Sequence, residues 1–135
     1  SREGLAMIKC VCLVEEKDNK LLLVQVRHRN KYYFPGGKID ESESYVVALQ
    51  RELKEELQLD LTTHELEFIG TVVGEAYPQH DTLTELNGYR TTRFIDWSQI
   101  HTDNEITDIQ WFDIEDTTYI APAVITWIDN FLKEE

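Results

Sequence analysis

The sequence predicts an α/β or α+β sandwich, in which strands linked mostly by antiparallel connections lie between two helices. Three observations carry this. Short apolar segments with strand character recur along the chain, two longer segments carry apolar residues at helical spacing, and no repeat or Pro/Gly/Ser-rich linker divides them. The 135 residues suit one domain, 1–135, with a real core.

Taken in order, Ile8–Val14 alternates two mostly apolar faces, with Ile8, Cys10, Cys12 and Val14 on one and Val11 and Leu13 on the other. That pattern predicts a central strand buried on both sides. Lys17–Lys20 reads as a turn, and Leu21–Val26 as a second strand that pairs with the first in a hairpin. A basic and aromatic loop, RHRNKYY, follows, and Pro35-Gly36-Gly37 forces a turn. A helix is expected over Ser44–Leu57, with Ser42 as N-cap and Asp40, Glu41 and Glu43 near the positive end of its dipole. Leu66–Glu75 and Gly88–Trp97 read as strands around a polar loop that is itself partly extended, and Ile109–Phe112 as a short strand. A last helix is expected over Ala121–Lys133, started by Pro122, with Val124, Ile125, Ile128, Phe131 and Leu132 on its apolar face.

Composition excludes several classes. A formal net charge of −13 repels polyanions, so neither a nucleic-acid polymer nor an anionic membrane is an expected partner. No apolar run approaches the roughly 18 residues of a membrane span, and the N-terminal stretch lacks the apolar segment of a signal peptide. Cys10 and Cys12 lie too close in sequence to imply a disulfide framework and read as small buried apolar residues. A cytoplasmic location is the resulting expectation. The histidines His64, His80 and His101 are scattered, which suggests no zinc site, and neither a P-loop nor a nucleophile-elbow pattern occurs.

The informative segment is the helix, because it crowds Glu52, Glu55 and Glu56 into two turns. With Leu53 at zero on a helical wheel, Val46, Leu49 and Leu57 fall within about 40° and form a core stripe. Glu56, Glu52 and Glu55 fall at about −60°, −100° and −160°, an arc beside that stripe, and Ala48 adds low relief at about −140°. Two carboxylates about 5 Å apart repel by about 3 kcal/mol at an effective dielectric of 20. A hard divalent cation offsets that repulsion, since Mg²⁺ takes carboxylate and phosphate oxygens. The plain alternative is a solvated acidic face.

The surroundings of these acids narrow the choice. From Gly37 the chain reads Gly, five residues, Glu43, seven residues, then Arg51-Glu52-Leu53-Lys54-Glu55-Glu56-Leu57-Gln58-Leu59. This resembles the Nudix box, and eight of its nine specified positions match. Six fixed letters at fixed spacing arise by chance on the order of once in 10⁵ chains of this length. The preceding Phe-Pro-Gly-Gly-Lys-Ile is similar to MutT-like members. The departure is Gln58, where the box has a glycine that serves as a left-handed helix cap; it puts the helix end in question, not the acids.

The resemblance implies an α/β/α sandwich with a mixed sheet between helices, and a site that uses Mg²⁺ or Mn²⁺. Carried over by position, Glu55 and Glu56 are implied metal ligands, Glu52 a ligand or the general base, and the Gly36 carbonyl a backbone ligand. Glu52, Glu55 and Arg51 are the catalytic candidates, with Arg51 implied to pair with Glu43 and hold the loop to the helix. Arg27, Gly37 and Lys38 are the substrate-binding candidates. Arg27 belongs to the one basic cluster, with His28, Arg29 and Lys31, whose alternative role is solubility. Glu105 is a candidate extra ligand or a plain loop acid, and Tyr32, Tyr33, Phe34 and Trp111 are candidates to stack on a base or to fill the core.

The implied activity is metal-dependent hydrolysis of a pyrophosphate bond in a nucleoside diphosphate linked to another group, foremost a nucleoside triphosphate or a modified one. ADP-ribose, dinucleoside polyphosphates and nucleotide sugars remain open, as does a homodimer. Substrate choice is expected to lie in the loop Tyr77–Asn87, with RHRNKYY and Trp111 nearby. A catalytically silent nucleotide-sensing module and an acidic scaffold are the readings from other classes.

Overall fold

The first strand organises the molecule. In the computed structural model, which describes residues 4–102 and 105–133, β1 (Ala6–Leu13) is followed by β2 (Glu16–Lys17), β3 (Lys20–Val26), β4 (Gly36–Lys38), the helix α1 (Tyr45–Leu57), β5 (Leu66–Glu75), β6 (Thr82–Thr91), β7 (Ile106–Asp113) and α2 (Pro122–Trp127). β1 pairs parallel with β6 from Ala6↔Thr82 to Leu13↔Tyr89, and antiparallel with β4 from Cys10↔Lys38 to Cys12↔Gly36. The result is a mixed sheet of order β4-β1-β6-β5, beside an antiparallel sheet of order β2-β3-β7.

Alternation along β1 then builds two cores. Val11 and Leu13 join Leu49, Leu53 and Leu57 of α1, whereas Cys12 and Val14 join Val124, Trp127 and Ile128 at the other helix. Successive side chains of a strand point to opposite faces, so the expected two-sided burial makes an α/β/α sandwich. β3 divides its residues likewise, with Leu21 and Leu23 facing the α2 side and Val24 the α1 side.

Four expectations are corrected. β1 and β3 do not form a hairpin, because both edges of β1 are already taken by β4 and β6. The hairpin instead joins the two-residue β2 to β3 through Asp18 and Asn19, both left-handed at φ 52° and 61° as a tight primed turn requires. β6 starts at Thr82 rather than Gly88, because the polar look of its first half hides satisfied buried groups. Asn87 donates to the Cys10 carbonyl at 3.0 Å and accepts from Thr71 Oγ1 at 2.7 Å. Ser44, not Ser42, caps α1: residues 40–43 close a turn of their own, Glu43 N–H to the Asp40 carbonyl at 3.1 Å, before the helix begins. The last helix is α-helical only to Trp127 and continues as a π-helical turn, Ile128–Leu132. Its apolar face also proves wider than expected, since Trp127 lies buried between Phe34 and Phe131 while Phe131 itself is exposed.

The helix end left in question by Gln58 is settled by the backbone. Gln58 adopts φ 54° and ψ 31°, its N–H reaches the Lys54 carbonyl at 3.0 Å, and the Leu59 N–H reaches the Leu53 carbonyl at 3.2 Å. The chain thus forms the left-handed cap without glycine, and buried Leu59 leads it back into the core.

Candidate active site

Arg51 ties the loop before α1 to the helix. Its Nε donates to Glu43 Oε2 at 2.6 Å and one terminal nitrogen to Glu43 Oε1 at 2.8 Å, a two-pronged pair. The other terminal nitrogen donates to Glu52 Oε1 at 2.7 Å and to Glu55 Oε2 at 3.3 Å. The guanidinium also reaches the Lys38 carbonyl at 3.3 Å, which fixes the end of β4. These bonds hold Glu43 below the usual carboxylate range, and Glu43 in turn holds Arg51 firmly charged.

A cavity of about 430 Å³ opens beside this hub, between β1, β4, α1 and the segment leading into α2. Glu56 lines it with Glu52 and Glu105, which repel its carboxylate, and with Arg27, which pairs with Glu105. Tyr33, Phe34, Tyr77, Leu86 and Val124 also line the cavity, as members of the apolar cluster on the α2 side. Glu56 accepts from the Gly36 N–H at 3.1 Å, and burial, followed by repulsion from Glu52, pushes its carboxyl up to about 8. Burial raises Glu52 as well, against the pull of Arg51.

Two glycines let the backbone come this close. A side chain on Gly36, at φ 145°, would strike the Val11 carbonyl oxygen at 2.1 Å, and one on Gly37 would strike Glu52 Oε2 at 2.2 Å.

The structure brings Arg27, Gly36, Gly37, Lys38, Glu52, Glu56 and Glu105 to one cavity wall. Glu55 is placed differently: its side chain is 59% exposed where that of Glu52 is 16% exposed, as the wheel angle nearest the solvent-facing back implies. Arg51 stands behind the carboxylates and does not line the cavity. Of the aromatic candidates, Tyr32 takes the core alternative and Trp111 is corrected. Tyr32 donates to Asp108 and packs on Phe112 in the core, and Trp111 sits over a separate depression with Phe94 and Trp97, because β7 turns alternate residues to opposite sides. Tyr33 and Phe34 do line the cavity.

Sequence reasoning missed Cys10 on the floor and Glu75 at the rim, and reached Thr84 only as part of the segment Tyr77–Asn87. No local pattern marks them; only the parallel pairing of β1 with β6 brings Cys10 beside Thr84, whose hydroxyl donates to the thiol at 3.6 Å. Burial pushes both thiols up, so they stay protonated at neutral pH, and neither forms a disulfide.

Among the described residues, no three His, Cys, Asp or Glu side chains converge as a ready-made metal shell. The donor chemistry nevertheless fits a hard cation. Glu56 is a desolvated carboxylate that repels Glu52 and Glu105 and has no ion-pair partner among the described residues. A cation taking oxygen ligands relieves that repulsion.

Similarity to known proteins agrees with this geometry. A model of the NUDIX domain matches residues 7–133. The CTP pyrophosphohydrolase of Escherichia coli (strain K12) is 34% identical over 140 residues, spanning 95% of this chain and 93% of that protein. The solution structure of the E. coli ORF135 protein matches with a TM-score of 0.68 at 26% identity, over 96% of this chain and 91% of that one. The crystal structure of a MutT NUDIX hydrolase from Burkholderia pseudomallei matches with a TM-score of 0.72 at 18% identity over 93% and 98% of the two chains, a likeness of fold. With the box, the sandwich and the half-buried carboxylates in agreement, the chain belongs to the Nudix family.

Proposed function

We propose that the chain hydrolyses a pyrophosphate bond of a nucleoside triphosphate, natural or modified, with Mg²⁺ or Mn²⁺. The observation that supports this most is the division of one cavity's lining between the acids around Glu56 and the aromatic and apolar groups of one core cluster. A nucleoside triphosphate has the same division, a charged tail and a flat base. The name of the E. coli relative records CTP, so pyrimidine triphosphates lead the candidates.

In this reading Glu56, the Gly36 carbonyl and exposed Glu55 would hold the cation, which leaves Glu52 free to act as the base. The bound ion supplies neutralisation of phosphate charge and acidification of water. Glu52 accepts the proton of the attacking water, its basicity raised by burial and its orientation set by Arg51. Water oxygen bonds to phosphorus, the bridging P–O bond breaks, and the leaving phosphate or pyrophosphate carries the bond pair. Arg27 and Lys38 take the phosphate tail, Gly37 leaves room for the Glu52 carboxylate against the backbone, and Tyr33 and Tyr77, with ring centroids 5.9 Å apart, offer ring faces to the base.

The test is a release assay for phosphate and pyrophosphate across nucleoside triphosphates, ADP-ribose, dinucleoside polyphosphates and nucleotide sugars, with Glu56→Gln as the blank. The highest kcat/KM is expected for a nucleoside triphosphate. Turnover confined to another class would displace the substrate, and no turnover with either metal would displace the reading.

A further inference from the structure

The turn after β3 is built at a conformational cost that an ordinary loop avoids. Arg27 and His28 are consecutive and both left-handed, at φ 50° and 58°, a region non-glycine residues rarely enter. Four hydrogen bonds hold them there. The Arg27 N–H reaches the Glu105 carbonyl at 2.8 Å, the His28 N–H reaches Thr107 Oγ1 at 3.0 Å, the Arg29 N–H reaches the Val26 carbonyl at 3.0 Å, and Gln25 Nε2 reaches the Arg29 carbonyl at 2.9 Å. Thr107 is itself fixed, donating to Gln25 Oε1 at 2.9 Å. The strained turn places Arg27 and Arg29 on the wall of the same cavity.

The Arg27 side chain is not idle there. One of its terminal nitrogens contacts Glu105 Oε1 at 2.6 Å, and Glu105 lines the cavity too. The pair is single-pronged and its side chains are 62% and 60% exposed, the kind of ion pair that water and salt weaken. A guanidinium binds phosphate through two parallel N–H donors, which this contact leaves largely uncommitted.

We propose that Glu105 is a positioning residue: its carboxylate stands in for a substrate phosphate, holding Arg27 over the cavity mouth, and gives Arg27 up when the polyphosphate enters. This rests on the reading that the cavity takes a polyphosphate. It assigns Glu105 to the guanidinium and not to the cation. The backbone bond between Arg27 and Glu105 is separate from the side-chain contact, so the turn keeps its shape through the exchange.

The experiment is a double-mutant cycle read by calorimetric binding of inorganic tripolyphosphate with Mg²⁺, a probe that needs no base and no turnover. Arg27→Gln is expected to weaken binding by about tenfold, the loss of a charged phosphate contact. Glu105→Gln is expected to tighten it, by about threefold more in the wild-type background than beside Arg27→Gln, since only there does it remove a competitor for the guanidinium. The same factor in both backgrounds would reduce Glu105 to a general repulsive charge and overturn the proposal. So would weaker binding by Glu105→Gln, the mark of a cation ligand. Nitrogen NMR of the Arg27 guanidinium supplies the second readout: hindered rotation in the free wild type, averaging in Glu105→Gln, and hindered rotation again in both with tripolyphosphate. Averaged signals in the free wild type would overturn the latch. A failed cycle beside normal nucleotide turnover removes the latch alone, whereas absent turnover removes the functional reading whatever the cycle shows.

Discussion

The two helices that flank the sheets use their apolar stripes alike and the arc beside the stripe differently. α1 buries Leu49, Leu53 and Leu57 and sets Glu52 and Glu56 next to them, at the cavity. α2 buries Ala123, Val124 and Trp127 and offers the same cavity only apolar surface. One helix places charge where water is scarce, against its own stability; the other supplies the packing that tolerates it. The difference teaches that a carboxylate reports function when its surroundings oppose its charge. Glu65 shows the converse. It closes a capping box with Thr62 and pairs with Arg93 at 2.7 Å, and these contacts hold it below the usual carboxylate range.

The widest separation of the two roles comes from truncating the packing side. Trp127→Ala removes a fully buried ring whose indole N–H has no hydrogen-bond partner among the described residues, so the loss is packing alone. It is expected to destabilise by about 3–5 kcal/mol in urea unfolding. A loss under about 1 kcal/mol would show that α2 is not the supporting layer.

On the chemical side, Glu56→Gln is expected to lower kcat/KM on the order of 10²-fold or more, the scale of a few kcal/mol of lost charge stabilisation. Thermal unfolding without metal should show no loss of stability, because a buried, repelled carboxylate becomes a neutral amide. A marked drop in Tm would mean that Glu56 is structural and that the contrast with α2 fails.

A smaller effect tests the one departure from the box. Gln58→Gly relieves a left-handed side chain but loosens the unfolded chain, for a net gain of about 0.5–1 kcal/mol. Turnover should be unchanged, since Gln58 does not line the cavity. Changed turnover would mean that the helix end, and not only its acids, tunes the site.

The smallest effect is on pH dependence. Glu65 has a lowered carboxyl in the folded state, so its contribution is present above the ordinary unfolded value of about 4.3 and is lost as pH falls through the folded value. Glu65→Gln should therefore narrow the gap to wild type in acid and leave it fully open near neutrality. A gap independent of pH would show that the carboxylate's charge plays no part.

Much of this was legible in the chain. Leu66–Glu75 has the bounds expected of it. The stripe on α1 follows from spacing alone, as does the exposure of Glu55 relative to Glu52. Pairing was not legible, because periodicity says which face a residue takes and not which strand lies beside it. Hence periodicity pairs β3 with the wrong neighbour and presents Thr82–Asn87 as part of a partly extended polar loop, although partners elsewhere satisfy Asn87.

Sequence by itself therefore determined the layers, the acidic arc and the family, since these depend on residue type at fixed local spacing. Only the tertiary structure decided that Glu56 is the most strongly desolvated member of the arc, that Trp111 lies away from the cavity, and that Arg27 meets Glu105 across 78 positions. Desolvation and ion pairing depend on what the rest of the chain brings near, and no local pattern encodes that.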